Sequence, residues 1–151
     1  PGLDTPNEVF VHGMLTVNGE KMSKSKGTFI NARTYLKYAE PTYLRYYYAT
    51  KLTSGIDDFD LSFEDFVSRV NSDLVGKITN LASRGAQMLN KKIDGQIGAL
   101  SGEGRALVEK CQLASEKVAQ LYEQREYSKA IIEIRNLADL ANRYFDEKEP
   151  W

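Results

Sequence analysis

Hydrophobic and polar positions follow two different periods along this chain. Up to residue 30 the pattern is that of extended backbone. Val9-Phe10-Val11 is a short β-favouring run, and Met14-Leu15-Thr16-Val17 is a second. The second run closes on Asn18-Gly19, a dipeptide suited to a tight hairpin because both residues tolerate positive φ. A Lys/Ser/Gly-rich loop then runs from Glu20 to Gly27 and leaves through Thr28-Phe29-Ile30. From Asn31 the period becomes helical. Asn31 can cap a short helix to about Ala39, and Pro41 suits the first turn of another running toward Leu52. Gly55 and the acids after it read as a break over Ile56 to Leu61.

Ser62 opens the clearest element. Ser62 with Asp65 three residues on has the form of a capping box, and it places an acid where the helix dipole favours one. Phe63, Phe66, Val67, Val70, Leu74, Ile78, Leu81, Met88 and Leu89 then recur at spacings of three and four or their multiples, which predicts a helix of about 30 residues ending near Asp94-Gly95. A second helix is expected from about Arg105 to Gln124. A third runs from about Ser128 to Glu147, with Ile131, Ile134, Leu137, Ala138, Leu140, Ala141, Tyr144 and Phe145 inward. Three helices joined by short loops should pack as an antiparallel bundle. The fold class expected is therefore mainly α: a small β-hairpin with its loop, a connecting helical region, and an antiparallel helical bundle.

Composition narrows the chemistry. The 151 residues are 42% hydrophobic and 27% charged, the balance of a soluble globular domain that needs no disulfide or metal to fold. Cys111 is the single cysteine and His12 the single histidine. An intrachain disulfide and the usual cysteine, histidine or mixed zinc sites are thereby excluded, leaving only carboxylate-rich alternatives for a zinc site. Cys111 reads as a small buried hydrophobe, and His12 as a strand-end residue. No run of about 18 apolar residues exists to span a membrane. The opening Pro-Gly-Leu-Asp-Thr-Pro has neither an initiator methionine nor a signal-peptide pattern, and reads as a fragment.

Net charge is −1, but its distribution is uneven. Seven bases lie between Lys21 and Lys51 against Glu40 alone, and five acids without a base fall between Asp57 and Asp65. From Arg69 to Lys92 five bases face Asp73, and from Asp94 onward eleven acids face eight bases. A near-neutral total can hide local attraction for polyanions, though charge alone is equally well read as solvated helix faces.

Lys21-Met22-Ser23-Lys24-Ser25-Lys26-Gly27-Thr28 is the most informative segment. Its ammonium groups can gather around a polyphosphate, and Gly27 lets the backbone approach closely. Where a nucleotide is cleaved between its α and β phosphates, an ammonium beside the departing pyrophosphate stabilises the transition state more than the ground state. An arbitrary Lys/Ser run, by contrast, is more often a solvated basic loop. On the long helix, Asn80, Arg84, Gln87 and Lys91 form a polar stripe at spacings of four, three and four. Spacing alone reads that stripe first as an ordinary solvated face, and Trp151 as a core residue. Tyr43, Tyr46, Tyr47 and Tyr48 could stack on nucleic acid, but at helical spacing most of them read as packing.

The octet resembles the KMSKS signature of class I aminoacyl-tRNA synthetases, with all five signature positions intact. Gly27-Thr28-Phe29-Ile30, the lead-in Val11-His12-Gly13 to Val17-Asn18-Gly19, Leu44 to Tyr48, Ile56-Asp57-Asp58, Leu61 through Phe66-Val67, Asn80 to Arg84, Leu137 to Tyr144 and Pro150-Trp151 are similar to the methionyl branch in particular. The resemblance covers the chain apart from about Asp94 to Gln124. It implies the middle of a cytoplasmic enzyme that activates methionine with ATP, accompanied by Mg2+, and transfers it to tRNA. Lys24, assisted by Lys21, would contact the ATP phosphates, with Lys21, Met22, Ser23, Lys24 and Ser25 forming the ATP loop. Asn80, Arg84 and Trp151 would recognise a CAU anticodon. Residues 1–61 would be the end of a catalytic region with its connecting fold, and 62–151 part of an anticodon-binding bundle.

The partners implied are methionine-specific tRNA, methionine and ATP, with no membrane and no DNA. With His12 alone the sequence holds no His-x-Gly-His motif to grip the nucleotide, and the resemblance implies that this motif, the methionine pocket and the zinc knuckle of the family lie upstream. The piece by itself is therefore expected to be inactive, to leave apolar bundle surface exposed, and to bind tRNA weakly. Two rivals remain: a segment of another class I synthetase (for isoleucine, valine, leucine or cysteine), and a non-catalytic tRNA-binding scaffold.

Overall fold

A computed structural model describes residue 2 and residues 4–151; Pro1 and Leu3, at the start of the first expected region, lie outside the described residues. The architecture is mainly helical with one small sheet. Strand β1 (Leu15–Val17) turns through Asn18 and Gly19, at φ 48° and 77°, into β2 (Glu20–Lys21). Both positive φ values are what the Asn-Gly hairpin requires. Helix α1 (Ala32–Tyr35) starts on Asn31, whose side chain accepts from the Arg33 N–H, and it is shorter than expected. Helix α2 (Pro41–Lys51) carries proline in its first turn.

The expected break at 56–61 holds a third strand, β3 (Phe59–Leu61). It pairs in parallel with β1 (Leu15 with Phe59, Val17 with Leu61), so the sheet order is β2-β1-β3. Val9-Phe10-Val11, in contrast, forms no strand. Among the described residues no strand pairs with it, and Val9 and Val11 stay 74% and 70% exposed. Phe10 instead lies under the Arg125 guanidinium, 3.5 Å from ring centroid to Cζ. His12 is accordingly not at a strand end; it is exposed, and its ring meets Phe59 edge-on. Gly13 is required where it stands, because a Cβ there would lie 2.1 Å from the Asp57 carbonyl oxygen.

The long helix appears as expected from residue 63 to 93, but it is not uniform. Helix α3 (Phe63–Arg69) passes into a π-helical segment, Val70–Thr79, and then into α4 (Asn80–Ile93). In the π segment the turn is widened, so that the Asn80 N–H reaches back to the Val75 carbonyl. The Ser62 hydroxyl caps α3 by accepting from the Asp65 N–H, but the reciprocal half of the box is not made. The Asp65 carboxylate turns instead to Lys51, Arg69 and Tyr47.

Helices α5 (Gly102–Glu123) and α6 (Tyr127–Lys148) follow close to their expected bounds. Helix α6 is the central element, packed on α5, α2 and the π segment, while α4 touches it more lightly. Cys111 is half-buried rather than buried. It faces a shallow apolar groove with Leu107, Val108 and Ala141, because no neighbouring helix covers that side of α5 among the described residues.

A compact core sits where sheet and helices meet: Val17, Tyr47 and Leu61, with Leu15, Met22, Ile30, Leu44, Tyr48 and Phe66 packed round them. Most tyrosines of α2 are packing residues, as expected, while Tyr43 is exposed. Tyr47 is fully buried, edge-on to Phe66, and Tyr48 is edge-on to Phe59.

Burial above all, and then a hydrogen bond to Asp65, pushes the Tyr47 phenol up from 10.0 to about 12. Tyr46 is pushed up as well, by burial and its hydrogen bond to Asp73. Below pH 10 both phenols keep their protons whether the chain is folded or not, so they give stability no slope. Above it the unfolded chain releases protons that the folded chain retains, and stability falls. Melting curves should therefore shift downward as pH rises from 10.0 toward about 12. A Tyr46→Phe/Tyr47→Phe double variant should lose part of that slope, and an unchanged slope would refute the assignment. Asp65 behaves in the opposite sense. Burial raises its pKa, but the Lys51, Arg69 and Tyr47 hydrogen bonds outweigh that and hold it below 3.8, so its contribution fades as pH falls through that lowered value.

Candidate functional site

The lysine loop is built on the end of β2. Met22 is its anchor, half-buried against the Val17–Tyr47–Leu61 core. Thr28 closes the loop across its base: its Oγ1 donates to the Lys21 carbonyl and accepts from the Ser23 N–H, both at 3.0 Å. Inside the loop the Ser23 and Ser25 hydroxyls bond at 3.0 Å. Gly27 takes φ +73° with open space where a Cβ would be, a conformation that glycine adopts without strain.

The three ammonium groups lie outside this frame. Lys21, Lys24 and Lys26 are exposed, and no carboxylate is within ion-pair distance of them among the described residues. Lys24 Nζ rests over the Phe29 ring, 5.4 Å from its centroid. At an exposed site such a contact is worth about 0.5–1 kcal/mol, so moving Lys24 toward a bound anion costs little. Glu20, Lys21, Ser23 and Lys26 line a depression beside the loop. Backbone closure by Thr28 and uncommitted cations around it make a loop that can receive a polyphosphate.

The second group of residues lies along the long helix. From its start at Phe63 to Arg84 is roughly 30 Å at 1.5 Å per residue, so the two groups are far apart along it. Arg84 and Trp151 share a neighbour, Phe145, whose position in the helical pattern points inward. The Arg84 guanidinium stacks 4.6 Å above the Phe145 ring, and Phe145 lies 6.1 Å from Trp151. Trp151 is 58% exposed, so it is not a core residue. Arg84 also pairs with Asp146 at 2.7 Å, a half-exposed contact that offsets part of its charge. Asn80, one turn earlier, is exposed and makes no side-chain hydrogen bond among the described residues. Gln87 bonds within its own helix to Ser83 and Lys91 is exposed, so the expected stripe is solvated at that end. What emerges is an aromatic and guanidinium surface next to a free amide, a combination able to stack on and hydrogen-bond unpaired bases.

Residues 1–86 match the family model described as tRNA synthetases class I (M). This chain belongs to that family. The matched stretch includes the whole lysine loop and, on the long helix, Asn80 and Arg84; Trp151 lies beyond it. Among curated relatives, the methionine–tRNA ligase of Bdellovibrio bacteriovorus is 64% identical over 147 residues, 97% of this chain and 21% of that protein. Two solved structures of Mycobacterium tuberculosis methionyl-tRNA synthetase with bound methionyl-adenylate align with a TM-score of 0.84, at 29% and 28% identity. Each alignment covers 99% of this chain and 30% of the solved one. The chain thus spans about a fifth to a third of the length of these class I synthetases. Among the described residues no helix is long and apolar enough to cross a membrane.

Two residues that matter to this geometry carry no signal of their own in the sequence. Asp60 bonds the hairpin turn, and Asp73 is buried in the π segment. Each acts across a long sequence separation. The cluster of acids from Asp57 to Asp65 was the one visible signal, and most of it proves structural. Asp58 accepts from the Met14 N–H at 2.6 Å, Asp60 bonds the hairpin, and Asp65 joins α2 to α3.

Proposed function

We propose that this chain is a working segment of a methionine–tRNA ligase, which activates methionine with ATP and transfers it to methionine-specific tRNA. Residues 1–61 serve the catalytic region and 62–151 the anticodon-binding bundle. The observation that carries the reading is the intact loop Lys21 to Ser25 with its lysines free of carboxylate partners. Lys24, with Lys21, stabilises negative charge on the departing pyrophosphate. Met22 anchors the loop, and Ser23 with Ser25 keeps its shape. Mg2+ arrives with the nucleotide phosphates. Asn80, Arg84 and Trp151 read the CAU anticodon, Arg84 and Trp151 through the surface they share with Phe145. Such an enzyme works in the cytoplasm with the rest of the translation apparatus.

The chain by itself makes no adenylate, because its single histidine cannot supply a His-x-Gly-His motif. Incubated with methionine, ATP and labelled pyrophosphate, the purified 151-residue chain should show exchange no higher than a protein-free control. Exchange above that control would overturn this division of labour. Binding of the same chain to methionine tRNA should be weak and salt-sensitive. Neutralising about two phosphates makes it roughly tenfold weaker between 50 and 200 mM salt. Binding that is undetectable at low salt, or insensitive to salt, would count against the RNA-reading surface.

A further inference from the structure

We propose that Asp60 is a positioning residue for the loop lysines: its carboxylate fixes the hairpin turn from which Lys21 and the loop project. The inference rests on the reading of Lys21 and Lys24 given above. Strand β2 has two residues, and a hairpin that short is at best marginally stable by its ladder alone. The direction in which the lysines leave the sheet must therefore be set by something other than strand pairing.

The turn is clamped to the junction between β3 and α3. Asp60 Oδ1 accepts from the Gly19 N–H at 2.8 Å and from the Thr16 hydroxyl at 2.6 Å. Asn18 closes the same junction from the other side. Its N–H donates to the Leu61 carbonyl at 3.1 Å, and its Oδ1 accepts from the Phe63 N–H at 3.3 Å. In a two-residue turn the N–H of the second central residue has no partner within the turn, so the carboxylate gives Gly19 an acceptor that the hairpin cannot. Because that acceptor is charged, the bond is stronger than a neutral one.

Asp60 is itself held from the interior. Its backbone carbonyl accepts from the hydroxyl of Tyr47, the fully buried residue of the core, at 3.1 Å. Thr16 pairs with Lys21 across the hairpin, and the Lys21 carbonyl accepts from Thr28, which closes the loop. A continuous set of contacts therefore runs from the core, through Asp60, to both ends of the loop. No lysine or arginine pairs with Asp60 among the described residues, so its charge serves the turn donors.

The test is methionine-dependent ATP–pyrophosphate exchange by the complete ligase carrying this segment. Asp60→Ala should lower kcat about ten- to a hundredfold, the scale of a misplaced catalytic group, with the methionine KM little changed. Asp60→Asn keeps an oxygen acceptor for both donors and should recover most of the rate. In a Lys21→Ala/Lys24→Ala background, Asp60→Ala should cost nothing further, since it acts through those lysines. A kcat within about twofold of the parent for a folded Asp60→Ala enzyme would overturn the proposal, on the scale of a misplaced group. So would a loss that adds in full to that of the lysine variants. Should Asp60→Ala fail to fold, Thr16→Val removes one of the two donors and is judged by the same additivity. If Lys21→Ala/Lys24→Ala itself leaves the rate intact, it is the reading of the lysines that fails, whatever Asp60 does.

Discussion

Lys24→Ala in the complete ligase is expected to lower kcat for methionine-dependent ATP–pyrophosphate exchange by about 10²–10³, the usual cost of removing one donor aimed at developing charge. The structure separates this loss from any effect on folding. Lys24 is exposed, and its main contact is the Phe29 ring at 5.4 Å. Losing that contact should change stability by no more than about 0.5–1 kcal/mol. The loss should fall on kcat more than on the KM for ATP, because negative charge on the pyrophosphate grows as the transition state forms. Lys24→Arg should restore part of the rate. It keeps the charge but replaces a mobile point charge with a planar fork. Rates and thermal melts measured side by side decide the matter. An unchanged kcat, or a loss matched by a collapse in Tm, would remove Lys24 from the chemistry.

The lysine loop was legible because everything that defines it is local. Lys21 to Thr28 lie in one continuous run, and the bonds that close the loop link residues five and seven apart. The helices were legible for the same reason, since a stripe at spacings of three and four is written into neighbouring turns. Strand β3 was not. Phe59 and Leu61 flank Asp60 in the alternation of a strand, yet their partners lie 44 residues earlier, and the acids around them suggested a break. Val9-Phe10-Val11 shows the converse: β propensity without a partner yields no strand. The π segment escaped detection because Val70, Leu74 and Ile78 recur at a spacing of four, which lies between the 3.6-residue α turn and the wider i→i+5 turn and so fits either. Of the surface proposed to read RNA, Arg84 and Trp151 could be named from sequence. Their meeting over Phe145 and the pairing of Arg84 with Asp146 are tertiary facts.

The π segment leads to the largest expected effect on stability. Asp73, 2% exposed, accepts from the Tyr46 hydroxyl at 2.9 Å and from Ser72 at 3.2 Å, and pairs with Arg135 at 3.2 Å. It thereby ties α2 and α6 to the long helix at one point. Asp73→Ala should destabilise the chain by about 1–3 kcal/mol, because it leaves the Tyr46 hydroxyl and a guanidinium that is only partly solvated, 33% exposed, without their acceptor. Arg135 is already stretched for partners: its Nε is buried without an acceptor among the described residues. For a domain of this size such a loss lowers Tm by roughly 5 °C. Asp73→Asn keeps an acceptor for Tyr46 and should cost less. The decisive comparison adds Arg135→Met to Asp73→Ala. With the stranded charge gone, the double variant should be more stable than Asp73→Ala alone. Urea unfolding of the three variants checks this directly. If Asp73→Ala costs under about 1 kcal/mol, it behaves as an ordinary hydrogen bond, and if Arg135→Met deepens the loss, the charge is not what Asp73 neutralises. Tyr46 belongs to the helix that also carries Tyr47, the core residue bonded to Asp60, while Arg135 belongs to α6 at the centre of the bundle. A failure at Asp73 should therefore loosen the bundle from the lysine-loop half before it melts either.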